Sequence, residues 1–287
     1  MSVAIDLSPR RGDSLRRLFR NRAVLIGTVV LAIITLAAIF APWLAPYPPN
    51  KLAIMARFQA PSLAHPFGTD EFGRDELSRC IYAGRVSLSV SAMVVVFACV
   101  AGITLGVLAG FFRRLDAVIS RLLDAMMAFP DILLAIALVA ALGSSLVNVV
   151  LALGVTYTPR LARVVRGTTL VLRELPFIEA AKSMGIPTWR ILARHVLVNL
   201  ASPILVQSTF IFASAMLAEA SLSFLGIGAS SDTPTWGTML STGREFVNSA
   251  PWLMYFPGLS VVFAVLSLQL LGDGLRDLVD PRLAKDL

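Results

Sequence analysis

The chain has 287 residues, 56% of them hydrophobic and only 15% charged, with a formal net charge of +7 and a mean hydropathy of +0.77. Soluble domains carry about 25% charged residues, so this composition excludes an ordinary soluble globule and favours the membrane class. Nucleic acid is excluded as a partner because the basic residues flank apolar runs, as cytoplasmic Lys and Arg do.

Arg10, Arg11, Arg16, Arg17, Arg20 and Arg22 precede an uncharged run, Ala23–Ala41. The run exceeds the roughly 7–15-residue core of a secretory signal, and Pro42-Trp43 and Tyr47 follow it instead of a small-residue cleavage site. It predicts a retained anchor over 23–41, a cytoplasmic arm over 1–22 and an extracytoplasmic loop over 42–85. A second span is predicted within Val86–Phe112, between Arg85 and Arg113-Arg114. Gly102, Gly106 and Gly110 lie four apart within it, and small residues at that spacing let helix backbones approach closely. They are predicted helix-packing positions. Cys80 and Cys99 read as isolated thiols, with no metal or disulfide pattern.

The uncharged stretch Ile132–Pro159 is divided by Gly143-Ser144-Ser145, a turn signal. A third span then begins near Ala117 and takes in Arg121, Asp124 and Asp131, with Arg121 and Asp124 spaced to pair on one face. The fourth runs from about Leu146 to Arg163. A fifth lies within Val196–Leu225 and a sixth within Phe246–Gly272, with Trp252 and Tyr255 near its outer end as an aromatic belt requires. Six spans with both ends cytoplasmic put 19 of the 25 basic residues inside. A five-span alternative would expose the basic 160–195 segment on the wrong side. The tail is 275–287.

Ionisable and polar side chains inside apolar spans face protein or water, since lipid penalises them by about 2.5–3.5 kcal/mol at the bilayer centre. Asp131, after Pro130, and Glu219, late in span five, are therefore candidates for the pathway or gate, with structural hydrogen bonding as the plainer role. Asn199, Pro203 and Gln207 recur every four residues along span five. That stripe suits either interhelical hydrogen bonding or the lining of a polar path.

Between spans four and five, Phe177–Met184 reads as a short helix stopped by Gly185, a favoured C-terminal cap. Pro187 then opens a second helix through Trp189, Ile191 and Leu192. The product is an inward-facing helix–turn–helix elbow whose small Ala180 and Ala181 would let a partner's groove close around the first arm.

Glu179-Ala180-Ala181, followed after three residues by Gly185, resembles the EAA motif of permease subunits of bacterial ABC importers. The usual pattern ends in Leu-Pro; here it ends Leu197-Val198. Four further stretches are similar to the C-type permease of the peptide/nickel branch. They are His65-Pro66-Phe67-Gly68-Thr69-Asp70 with Gly73-Arg74-Asp75 and Ser78-Arg79; Leu222-Ser223-Phe224-Leu225-Gly226; Pro234-Thr235-Trp236-Gly237; and Gly272-Asp273-Gly274-Leu275-Arg276-Asp277 with Asp280-Pro281. The resemblance covers the chain from Arg16 onward. It implies an all-α type I permease fold, with core 86–274 and a coupling loop over about 160–199. Within that loop Glu179, Ala180, Ala181, Gly185, Ile186, Pro187 and Arg190 would meet an ATPase subunit. It also implies a bacterial inner-membrane location, a homologous second permease, two cytoplasmic ABC ATPases and an extracytoplasmic substrate-binding protein. Membrane lipid completes the set.

The sequence contains no G-x-x-x-x-G-K-[ST], no H-E-x-x-H and no G-x-S-x-G. It therefore reads as no enzyme and no holder of a cofactor or metal; ATP and Mg would be used by partner subunits. The expected cargo is a di- or oligopeptide, with nickel, glutathione or opine-like solutes as alternatives. An ion-coupled carrier is the competing class, but such carriers are often built from inverted repeats, and none is visible between the halves.

Overall fold

The computed structural model describes residues 21–228 and 233–279, and among them there is helix and loop but no strand. The arginines from Arg10 to Arg20, Asp232, Asp280-Pro281, Arg282 and Lys285 lie outside the described residues. Helix α1 is Arg22–Ile39, started by Asn21, whose side chain accepts from the Ala23 N–H. The short α2, Ala41–Leu44, carries Pro42 in its first turn.

The outer loop is ordered by its own polar groups. The Asp70 carboxylate accepts from the backbone N–H groups of Phe72 and Arg74, closing a tight turn. Thr69 donates to Ala56 and accepts from the Gln59 N–H. His65 Nδ1 lies 2.8 Å from Asp75, and Phe67 stacks on Phe256 at 3.8 Å between centroids. Asp75 then caps α3 by accepting from the Ser78 N–H.

Helix α3 runs Glu76–Phe111, 36 residues, or about 54 Å at the α-helical rise. It therefore starts ten residues before the expected Val86, and only part of it is needed to cross about 30 Å of hydrocarbon. Beyond it the expected third span is two helices, α4 (Arg113–Met127) and α5 (Asp131–Leu142), bent by 94°. Pro130 is the cause: it offers no N–H and drives Phe129 away from helical geometry. Gly143-Ser144-Ser145 does turn the chain, and Ser145 caps α6, which extends Leu146–Arg173 rather than stopping near Arg163.

After α6 come α7 (Pro176–Ser183) and α8 (Thr188–Ile191). A π-turn over Leu192–Val196 joins α8 to α9, Leu197–Phe224. The expected fifth span is thus the main part of an unbroken helix from Thr188 to Phe224. Where the motif usually carries proline, Val198 keeps its N–H and the helix continues. Helix α10 is Trp236–Gly243 and α11 is Trp252–Val279. Among the described residues, four helices are long and apolar enough to span a membrane, or five if the bent pair counts as one.

The core has two parts. Val90, Val94 and Ala98 of α3 pack with Leu153, Leu161 and Val165 of α6 and with Leu200 and Ile211 of α9. Ala83, Met216, Trp236, Met239 and Leu268 form the second, under the outer loop. The α3–α6 contact is made by the glycine stripe. Gly102 faces Leu161, Gly106 faces Ala162 and Val165, and Gly110 faces Thr169. A Cβ at Gly106 would stand 2.6 Å from the Ala162 carbonyl oxygen and 2.7 Å from the Val165 Cβ, inside any tolerable contact. Gly106→Val is expected to cost about 1–3 kcal/mol or more by overpacking, lowering the thermal unfolding midpoint of the purified protein. Gly167→Ala, where nothing lies within 4 Å, should be neutral or slightly stabilising; equal midpoints for the two variants would refute the contact.

Candidate functional site

The elbow is closed by hydrogen bonds that the sequence specifies. Helix α7 starts with Pro176, carries Glu179 in its first turn and Lys182 in its last, and so matches the helix dipole at both ends. Gly185 adopts φ +74°. Its N–H reaches the Lys182 carbonyl and the Ile186 N–H reaches the Ala181 carbonyl, at 2.9 and 3.1 Å. This is the Schellman pair, which needs a left-handed residue after the helix. Pro187 is the cap of α8 rather than its first residue.

The two arms are amphipathic. Ile178, Ala181 and Ile191 are buried and pack with Val196 and Leu200, while Ile186 leans on the same cluster. Ala180, Glu179, Gly185 and Arg190 are exposed, beside Met184 and Trp189, which are 72% and 65% exposed. The two alanines therefore do different work. Neighbours on a helix point about 100° apart, so Ala180 faces outward and Ala181 faces the core, contrary to the expectation that both would face a partner. Lys182 lies over the Phe111 ring at 5.2 Å, tying the elbow to the end of α3.

Above the elbow, α6 carries a series the sequence reading did not assemble. Arg160 pairs with Asp131, Arg163 with Asp124 at 2.6 Å, and Arg166 with both Asp116 oxygens at 2.5 and 2.9 Å. Arg173 Nη1 donates to the Gly110 carbonyl at 2.8 Å, satisfying a terminal acceptor of α3. Asp124 therefore pairs across to α6 and not with Arg121 on its own helix, because the 94° bend turns α4 and α5 along the arginine face. The signal was present: arginines at 160, 163 and 166 and aspartates at 116, 124 and 131 are two helical series of opposite sign.

The pathway candidates separate. Asp131 opens α5 in its ion pair with Arg160. Asn199 donates to the His195 carbonyl at 2.6 Å and is exposed, and Pro203 and Gln207 are half-buried. Ile211, Ala215 and Glu219 continue the same four-residue register and are buried. One face of α9 thus passes from open at the elbow end to closed at the other. Glu219 is 0% exposed and accepts from Ser87 and Ser223 at 2.9 and 2.8 Å. It lines no open surface here; its burial makes it a junction between α3 and α9. Ser87 also accepts from the Trp236 N–H, and the Trp236 indole donates to the Cys80 carbonyl.

These features describe an integral membrane protein with a folded elbow presented at one end of a helix bundle. Residues 102–285 match the model of the binding-protein-dependent transport system inner membrane component family. Residues 10–61 match the N-terminal TM domain of oligopeptide transport permease C. The chain belongs to this family of ABC importer permeases. A dipeptide transport system permease protein of Alkalihalophilus pseudofirmus is 44% identical over 278 residues, 96% of this chain and 91% of its own length. A protein of Brucella abortus, named provisionally as a peptide transport system permease, is 47% identical over 268 residues, 93% and 90% of the two chains. The fold is also that of a chain in the methionine ABC transporter MetNI in inward-facing conformations, with TM-score 0.58, 20% identity, and coverage of 71% of this chain and 98% of that one.

The Asp116–Arg166 pair is the best-formed rung of the ladder. Asp116→Arg should destabilise the chain, and adding Arg166→Asp should recover part of the loss. A double-mutant cycle on thermal unfolding is expected to give a coupling of about 0.2–1 kcal/mol, since the pair is partly exposed. Strict additivity would show that the pair is not coupled.

Proposed function

We propose that this chain forms one half of the translocation pathway of an ATP-driven importer for di- and oligopeptides, with the elbow as its coupling surface. The observation that carries the reading is the elbow's construction. A glycine-locked hairpin holds its buried face against the bundle, leaves Ala180, Met184 and Trp189 outward, and runs without a break into α9. A push on the hairpin reaches the pathway helix directly.

The rest of the complex follows from the family. A homologous second permease supplies the other half, two cytoplasmic ATPases use ATP and Mg, and an extracytoplasmic binding protein delivers the cargo. Peptide cargo is supported by the named roles of the relatives described above. ATP-driven closure of the ATPases moves the elbows and shifts the population between inward- and outward-open states. The chain sits in the bacterial inner membrane with six spans and both termini cytoplasmic. The bent pair α4–α5 serves as span three and α6 as span four, its arginines made tolerable by Asp131, Asp124 and Asp116.

Gly185→Val places a β-branched residue in left-handed geometry, at a cost of about 1–2 kcal/mol at that residue, and Glu179→Ala removes the motif carboxylate. Both variants should insert normally yet lose co-purification of the ATPase subunits and most uptake, about tenfold or more; unchanged assembly and uptake would overturn the coupling role. Topology has its own check. A cysteine placed at Leu63, 104% exposed, should react with an impermeant maleimide from outside, and one at Met184 only after the membrane is opened. The reverse pattern would invert the orientation.

A further inference from the structure

A small recess lies where the outer loop, α3, α10 and α11 meet. Its polar wall is Asp70, Glu71, Arg74, Glu76 and Arg79, and its far wall, from α10 and the start of α11, contributes no ionisable group. Its volume, about 10 Å³, is the room of one water.

The charges around it do not balance. Three carboxyls face two guanidiniums. Asp70 is fully served: Arg74 Nε donates at 2.5 Å, two backbone N–H groups donate at 2.8 and 2.9 Å, and Arg79 stands 3.6 Å away. Glu71 Oε1 accepts from Arg74 at 3.1 Å, but its Oε2 is buried with no partner. Glu76 is 2% exposed and lines the same space, with Arg79 as the main charge that offsets its burial. Arg79 directs Nη1 to the Pro49 carbonyl and the Asn50 side chain, both at 3.3 Å. A buried carboxylate left without a donor is too costly to stay charged. A metal is not the answer, because no group of three His, Cys, Asp or Glu among the described residues has the geometry to hold one.

We propose that this space is a proton site, in which Glu71 and Glu76 share one proton across a single water. Two carboxyls lining one small, largely buried space resist ionising together, and sharing satisfies the orphan Oε2. The groups facing Glu76 are Asp70, Glu71, Arg74 and Arg79. Burial, with the Asp70 charge beside it, raises the Glu71 carboxyl above its ordinary 4.5. The sign follows: the folded state holds this proton more tightly than the unfolded chain. Stability is fullest below 4.5 and declines as pH rises through the raised value. The site joins the outer loop to α3, α10 and α11, so loss of the proton sets two like charges at that joint and loosens the loop. The inference rests on the fold alone and stands or falls apart from the transport reading.

The test uses the full chain in lipid nanodiscs, by infrared difference spectroscopy and thermal unfolding across about pH 5 to 8. At neutral pH the wild type should show a hydrogen-bonded protonated-carboxyl stretch. Glu71→Gln and Glu76→Gln should each abolish it, because each leaves two carboxylates facing two guanidiniums. The wild-type midpoint should fall with rising pH, and either variant should remove at least half of that slope. Should one variant fail to fold, the other reads the same site. A band and slope that survive in the folded variants would overturn the proposal, and a band at the frequency of an unbonded carboxyl would remove the water from it.

Discussion

The backbone-to-backbone contact between α3 and α6 is the constraint from which the other arrangements follow. Lipid tails are as apolar as leucine, so helices in a bilayer gain little from hydrophobicity alone and need close packing or polar pairing to stay together. Gly102, Gly106 and Gly110 supply the closeness over the C-terminal half of α3. With no side chain in the way, the carbonyls of Ala162 and Arg166 stand where a Cβ would otherwise be. Because α6 is fixed there, its arginines have one remaining direction to face, toward α4 and α5.

That direction explains the bend. In a straight helix from Arg113 to Leu142, Asp116 and Asp131 would lie about 22 Å apart along the axis, against about 9 Å between Arg160 and Arg166 on α6. Breaking it at Phe129-Pro130 lets Asp124 finish one helix and Asp131 begin the next, each beside its own arginine. A proline that costs helix hydrogen bonds thereby permits three charge pairs. Exposed pairs of this kind are weak singly, at about 0–1 kcal/mol. Their larger role is to let a helix with Arg160, Arg163 and Arg166 lie within an otherwise apolar bundle.

Much of this was legible in the sequence, and the misses have physical reasons. The elbow was readable because its signals are local: Gly185 and Pro187 act on their own backbone, and the Schellman geometry needs no distant partner. The glycine stripe was readable as a face but not as a partner, since a four-residue repeat does not say which helix it meets. Helix ends at Glu76 and Arg173 were misjudged because hydropathy ends where lipid ends, while hydrogen bonding continues into water and loop. The pairing of Asp124 with Arg163 was hidden for another reason: a contact 39 residues apart depends on a bend angle that no local pattern encodes. From the sequence, Glu219 reads as a structural hydrogen-bonding group or a pathway residue, and its burial between hydroxyl donors fits the former. Ser223 is a local donor four residues along the same helix, but Ser87 comes from α3, and only the folded bundle brings it there.

Glu219 and the elbow lie at opposite ends of one continuous helix. Helix α9 enters through a π-turn, a wide and weakly bonded stretch often placed at functional sites, directly after the arm that carries Trp189. At its other end Glu219 holds Ser87 of α3, and Ser87 in turn meets the backbone of Trp236 at the start of α10. A displacement of the elbow can be absorbed at Leu192–Val196 or passed on along a rigid helix to that junction. The hydroxyls of Ser87 and Ser223, with Thr235 beside them, hold the carboxylate in one geometry. The outer loop is tied to the same end through Trp252, whose indole donates to the Thr69 carbonyl. Helix α9 thus runs from the elbow to a polar junction with α3 and α10, with further cross-helix contacts along its middle at Ser208 and Ser214.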